Sequence, residues 1–161
     1  MALRAIRINN DPILKRRCRE VQQMDDRTRQ LLDDMLETLH RTSNGAAIAA
    51  PQVGVLKRLV VIDMGELSGG VLKLVNPKIV SSSGKQICDE GCLSFPDRWA
   101  QTVRPAHVVV EALDENGQPI TLTGEAELAQ CLSHEIDHLD GIVFLERAVS
   151  VQRPARRQNR R

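Results

Sequence analysis

Two histidines four residues apart, His134 and His138, constrain this chain more than any other feature. On an α-helix that spacing sets both imidazoles on one face, a turn apart, where they can share one metal ion. The flanking residues agree with a helix. Leu128, Cys131, Leu132, Ile136 and Leu139 form an apolar stripe between Ala126 and Leu139, and Gly141 follows as a stop. Glu135 comes directly after the first histidine and can reach water at the ion, which makes His134-Glu135-Ile136-Asp137-His138 a metallohydrolase pattern. It offers two ligands and a base. A catalytic site needs a third ligand, so the fold must bring one from elsewhere.

The chain has 161 residues, enough for one domain with its own core. We expect a catalytic domain over 1–150 and a basic tail over 151–161. Phe95, Trp99 and Phe144 are the only aromatic residues, so the core must be mostly aliphatic. Four cysteines do not look like a disulfide framework, and a reduced compartment fits them better. The start carries no apolar run of signal-peptide length, and no stretch approaches the roughly 18 apolar residues of a membrane span. These features point to a cytoplasmic protein without a membrane partner.

Along the chain, residues 3–8 alternate loosely like a short strand, and Asn9-Asn10-Asp11-Pro12 signals a turn. Residues 13–24 read as irregular. Asp25 or Asp26 caps a helix whose apolar face is Leu31, Leu32, Met35, Leu36 and Leu39. His40 lies in its last turn, where solvent or the helix dipole would accommodate it. Residues 45–54 are rich in small residues, and such a stretch lets another group approach the backbone closely. Its plainer reading is a tight packing crossing. Leu59–Ile62 and Leu72–Val75 read as strands, Asn76-Pro77 as a turn, and Lys78–Val80 as more strand. His107–Leu113 and Pro119–Leu122 flank Asp114-Glu115-Asn116-Gly117, whose Asn-Gly is a hairpin signal. The pattern of one helix, many short strands and a second helix predicts an α+β domain, its mostly antiparallel sheet packed around a C-terminal metal-binding helix.

Several residues compete for the third ligand position. Cys131 shares the helix face but lies seven residues from His138, about 10 Å along the axis, too far for bonds of about 2 Å. It fits better as a wall beside the ion. Glu146 has no second helix to present it, and Cys18 falls in a charged segment. Cys88 and Cys92 remain. Cys92 is preferred, because Gly91 gives the backbone freedom beside it and Glu90 can hydrogen-bond the helix or a ligand histidine.

Three segments, in order, together resemble peptide deformylase. They are Gly45-Ala46-Ala47-Ile48-Ala49-Ala50-Pro51-Gln52, Glu90-Gly91-Cys92-Leu93-Ser94 and Ser133-His134-Glu135-Ile136-Asp137-His138. The resemblance spans nearly the whole chain to about residue 150. It implies removal of the formyl group from the N-terminal formyl-methionine of nascent polypeptides, with release of formate. It also implies one divalent metal ion on Cys92, His134 and His138, natively iron(II), with zinc or nickel as alternatives. Glu135 would move the proton from metal-bound water to the leaving amine. Gln52 and the Leu93 backbone N–H would stabilise the oxyanion. The backbone of Gly45, Ala46, Ala47 and Gly91 would pair with an extended peptide, and Cys131 would line the methionine pocket.

The chain departs from the family pattern at Ala47, Ile48, Ser133 and Gln130. Ala47 is tolerated unless that position needs positive φ. Ser133 is no ligand, and Gln130 lies on the pocket side, where the family is often apolar. The last nine residues hold five arginines and no acid, leaving an acidic excess in the rest. That tail reads as a solvated end, or as a contact to ribosomal RNA through Arg153, Arg156, Arg157, Arg160 and Arg161. Nothing points to specific DNA binding.

Overall fold

In a computed structural model, residues 2–152 are described. Of the tail expected over 151–161, Val151 and Gln152 belong to the last strand; residues 153–161, with the arginines and the ribosomal contact read onto them, lie outside the described residues. Helix α1 covers Asp26–His40 and starts where Asp25 Oδ1 accepts the Thr28 N–H at 2.8 Å. Eight strands follow: β1 Ala47–Ala49, β2 Leu59–Asp63, β3 Val71–Ser83, β4 Gln86–Cys92, β5 Phe95–Arg104, β6 His107–Leu113, β7 Pro119–Glu125 and, after the second helix, β8 Ala148–Gln152. Helix α2 is Ala126–Leu139. The architecture is α+β, as expected, with the strands divided between two antiparallel sheets. One has the order β1-β2-β3-β6-β7, the other β4-β5-β8.

The five-stranded sheet is covered on both faces, which explains why Leu59 to Ile62 is uninterrupted apolar sequence. Val60 and Ile62 pack with Leu74, Val108 and Val110 against Ala129, Leu132, Ile136 and Leu139 of α2. Leu59 and Val61 point the other way, onto Leu31, Leu32, Met35 and Leu39 of α1. Alternation along one strand thus serves two helices. The small sheet packs separately, with Phe95 and Ala100 against Leu14, Val143 and Phe144. No helix among the described residues is long and apolar enough to cross a membrane.

Several local expectations need correction. Residues 3–8 form no strand, because their backbone groups are held elsewhere: Arg4 N–H donates to Thr38 Oγ1 at 3.0 Å and Arg7 N–H to the Gln52 carbonyl at 2.7 Å. Asn76-Pro77 does not turn the chain. It is an irregularity inside β3, where Asn76 takes φ 51° and its side-chain amide bonds both the N–H and the carbonyl of Val21. That side chain substitutes for a strand partner that Pro77 cannot supply. The β6–β7 hairpin, by contrast, forms where expected: Gly117 takes φ 77°, and Asp114 Oδ1 accepts from the N–H groups of Asn116 and Gln118. Strand β5 carried no recognised signal, since Pro96, Asp97 and Arg98 hide its start. His40 is solvated, as expected, with its Nε2 also within 2.7 Å of Asp63 Oδ2.

The end of α2 is closed by the expected glycine. Gly141 takes φ 73° and donates to the His138 carbonyl, while Leu139 O accepts from Cys18 N–H and Arg58. A Cβ on Gly141 would lie 2.5 Å from the Lys15 carbonyl oxygen, which is backbone and cannot swing away. We predict that Gly141→Ala lowers stability by roughly 1–3 kcal/mol, from strain at positive φ plus this contact. Urea unfolding measures it, and an unchanged midpoint would show that the helix end is not packed in this way.

Candidate metal centre

Cys92, His134 and His138 come together where the end of β4 meets the middle of α2. One donor atom from each lies within 4.8 Å of the others. Cys92 Sγ is 3.3 Å from His138 Nε2. The two histidine rings have centroids 5.0 Å apart, and His134 also stacks on Phe144 at 5.9 Å. Among the described residues this is the group of three such donors that could hold an ion. Cys88 is buried outside it, Cys18 sits in the core against α2, and Glu146 pairs with Lys15.

Cys92 reaches the helix because β4 and β5 form a tight hairpin. Cys92 pairs with Phe95, so only Leu93 and Ser94 make the turn, and the ladder is irregular at Gly91. Gly91 itself has no positive φ. It is needed for space: a Cβ there would sit 3.0 Å from the Trp99 indole. The expected backbone freedom is replaced by close approach of a side chain.

A buried ion-pair network fixes His134. Its Nδ1 lies 2.7 Å from Glu90 Oε1, leaving Nε2 for the cluster. Glu90 is held in turn by Arg104 through Nε and Nη2, both at 2.7 Å, and by the Thr102 hydroxyl. Arg104 Nη1 bonds Asp137 of α2 at 2.7 Å, and Asp137 also takes Arg147. Glu90 and Arg104 are 2% and 4% exposed, so each charge depends on the other. Burial would raise the Glu90 pKa, but its hydrogen bonds to Arg104 and His134 and the arginine charge outweigh that and hold it at about 2.

The histidines and Glu135 are tuned in different directions. Burial disfavours charge on His134, yet the Cys92 sulfur, Glu90 and Glu135 more than offset it and raise its pKa to about 10. Surroundings that hold a proton so firmly also favour a divalent cation in its place. His138 is pushed well below its usual value, by burial and then by the charges of His134 and Arg104. Burial raises Glu135 to about 7, opposed by the charge of His134. Its Oε2 is buried with no protein hydrogen-bond partner, and an unpaired buried carboxylate oxygen calls for water or a ligand group. A thiolate and two imidazoles suit zinc or iron(II). Bonds of about 2.0–2.3 Å close the cluster with small side-chain adjustments. The residues therefore fit an ion.

Gln52, 1% exposed, stands over the cluster. Its Oε1 accepts the Ala49 N–H at 2.9 Å, which turns Nε2 toward Ser94 Oγ at 3.1 Å and Cys92 Sγ at 3.5 Å. A cleft of about 900 Å³ opens above these groups. Gly45, Ala46, Ala47, Gly91, Leu93 and Cys131 line it, as do Gln52, Cys92, His134 and Glu135. Every residue expected at the site except the buried His138 faces this space. β1 is an edge strand, and Ala47 has no positive φ, so its Cβ is tolerated there. Ser133 turns away and bonds the Ala129 carbonyl. The sequence reading missed Arg104, Thr102, Ser94, Met64 and Trp99. The clue to the first two was Thr102 and Arg104 alternating onto the buried face of β5, a strand not recognised as such.

Comparison with known proteins adds family information. Residues 3–154 match the family model described as polypeptide deformylase. The chain is 60% identical to peptide deformylase 2 of Clostridium acetobutylicum over 146 residues, 91% of this chain and 95% of that one. It is 48% identical to peptide deformylase of Acetivibrio thermocellus over 165 residues, covering 100% and 95%. The crystal structure of peptide deformylase from Ehrlichia chaffeensis in complex with actinonin superposes with a TM-score of 0.88 at 42% identity, covering 91% of this chain and 89% of that chain.

Glu90→Gln tests the network. It removes the charge that orients His134 and leaves Arg104 short of a partner in the interior. We predict a loss of about 3 kcal/mol in stability and about 10–100-fold weaker binding of a divalent ion. Chelator competition reads the second effect, and unchanged affinity in a folded variant would show that Glu90 does not orient the ligand.

Proposed function

The chain belongs to the polypeptide deformylase family, and on that footing we propose how its residues remove the formyl group from N-terminal formyl-methionine. The observation that carries the assignment is the convergence of Cys92, His134 and His138 with a buried, half-unpaired Glu135 on the floor of the cleft.

Cys92, His134 and His138 would hold one divalent ion, iron(II) by the family resemblance. When bound, such an ion activates water toward neutral pH and polarises a carbonyl oxygen. Glu135 takes the proton from the attacking water and gives it to the departing amine. The bond from the formyl carbon to nitrogen breaks, and formate and a free amino terminus result. As the carbonyl carbon becomes tetrahedral, the Gln52 amide and the Leu93 backbone N–H donate to its oxyanion. The bond from Gln52 Oε1 to Ala49 pre-orients that amide, so little reorganisation is needed.

The peptide would lie along the free edge of β1 as an added strand, using the backbone of Gly45, Ala46 and Ala47, with Gly91 opposite. Main-chain pairing accepts many sequences after the first residue. Small side chains on this edge let the peptide come close. A substrate of new polypeptide chains suits a cytoplasmic enzyme, and the basic tail would be either a solvated end or a contact to ribosomal RNA.

Anaerobic preparation with iron(II), followed by assay of formate release from a formyl-methionyl peptide, tests the assignment. We predict turnover that a chelator abolishes and iron(II) restores. Glu135→Gln should lose about 10²–10⁴-fold in kcat while still binding metal. Gln52→Leu should lose about 10²–10³-fold, or about 3–4 kcal/mol of barrier. Peptide-bond cleavage without formate would move the assignment to a general peptidase. Deleting 153–161 should weaken salt-sensitive ribosome binding, and unchanged binding at low salt would remove that role for the tail.

A further inference from the structure

The cleft has a direction. Its α2 wall consists of Glu127, Gln130, Cys131, His134 and Glu135, and none of its lining residues lies beyond Glu135 on that helix. The open space therefore runs from the donor cluster toward the N-terminal end of α2. If the formyl group sits at the cluster and the peptide backbone follows β1, as proposed above, the first side chain extends up this wall. Gln130 is four residues before His134, about 6 Å along the axis. That is the reach of an unbranched methionine side chain, so its far end meets Gln130 and Cys131.

Gln130 is only lightly engaged with the protein. Among the described residues its amide makes one long hydrogen bond, Nε2 to the Asp89 carbonyl at 3.4 Å. The residue lines the cleft, and among the described residues its second N–H has no protein partner. A thioether is a weak acceptor and gains little from such a donor. Oxidation turns methionine into a polar sulfoxide with a strong acceptor oxygen, which a wholly apolar wall would reject. Burial keeps the neighbouring Cys131 as a neutral thiol, so the thiol itself sets no charge against the oxygen.

We propose that Gln130 is a specificity-determining residue that lets this enzyme deformylate peptides beginning with formyl-methionine sulfoxide. The inference rests on the deformylase reading of the site and goes beyond it in naming an oxidised substrate class. The chemistry at the formyl group is unchanged; only the pocket for the first side chain differs.

The test compares kcat/KM for formyl-methionine, formyl-methionine sulfoxide and formyl-norleucine peptides that are identical after the first residue. The metal-loaded wild type, Gln130→Leu and Gln130→Glu are assayed by formate release. We expect the wild type to favour methionine over its sulfoxide by no more than about tenfold. Gln130→Leu should widen that ratio by about tenfold or more, and so should Gln130→Glu, which keeps the shape but lacks the N–H. The methionine-to-norleucine ratio should move by less than about threefold, since neither side chain needs a donor. Ratios on one preparation cancel partial unfolding and incomplete metal loading. The same sulfoxide ratio in all three proteins overturns the proposal, as does an equal change for norleucine. Wild-type turnover of formyl-methionine with none of the sulfoxide overturns this inference alone. Absence of turnover on formyl-methionine overturns the deformylase reading as well.

Discussion

The buried pair Glu90–Arg104 is the interaction on which the rest of the site depends. Each charge would be costly in the interior without the other. Glu90 comes from β4, Arg104 from β5, and their partners His134 and Asp137 from α2. One network therefore ties the small sheet to the helix that the large sheet supports. Docking the small sheet brings Cys92 to the histidines at the same time, because Cys92 is two residues along β4 from Glu90.

The large sheet sets the other side of the cleft. α1 and α2 cover its two faces, which leaves β1 as an edge beside the donor cluster. The segment that continues from β1 turns back at Gly54, φ 85°, and delivers Gln52 over Cys92. The edge strand and Gln52 are thus neighbours in sequence. Residues 45–50 serve two purposes: Ile48 and Ala50 pack toward α1 while the small Ala46 and Ala47 border the cleft. The packing crossing and the open backbone, two readings of that stretch, are both features of one short strand.

Parts of this arrangement were legible in the sequence for identifiable reasons. Helix α2 and its histidine pair follow from periodicity, and Asp25 and Gly141 mark helix ends by chemistry local to the chain. The hairpin of β6 and β7 was visible in Asn116-Gly117, whose Gly117 takes φ 77°, and Asp114 bonds the same loop from its start. β5 was not visible, because Pro96 and two charges interrupt its pattern. Asn76-Pro77 misled for the opposite reason. It has turn chemistry, but the backbone of Val21, far away in sequence, satisfies it in place.

By itself the sequence determined the metal-binding pattern of α2 with Glu135 beside the first histidine, the α+β class and, through three ordered motifs, the family. These are properties of spacing, which a local repeat of 3.6 or 2 residues can express. Only the tertiary structure decided that Cys92 rather than Cys88 joins the histidines, that Gly91 is small to admit Trp99, and that Arg104 stands behind Glu90. Those facts depend on which strand pairs with which and how far two sheets approach. No periodicity within one segment encodes the distance between separate segments. It is set when burial of the apolar faces forces the layers together.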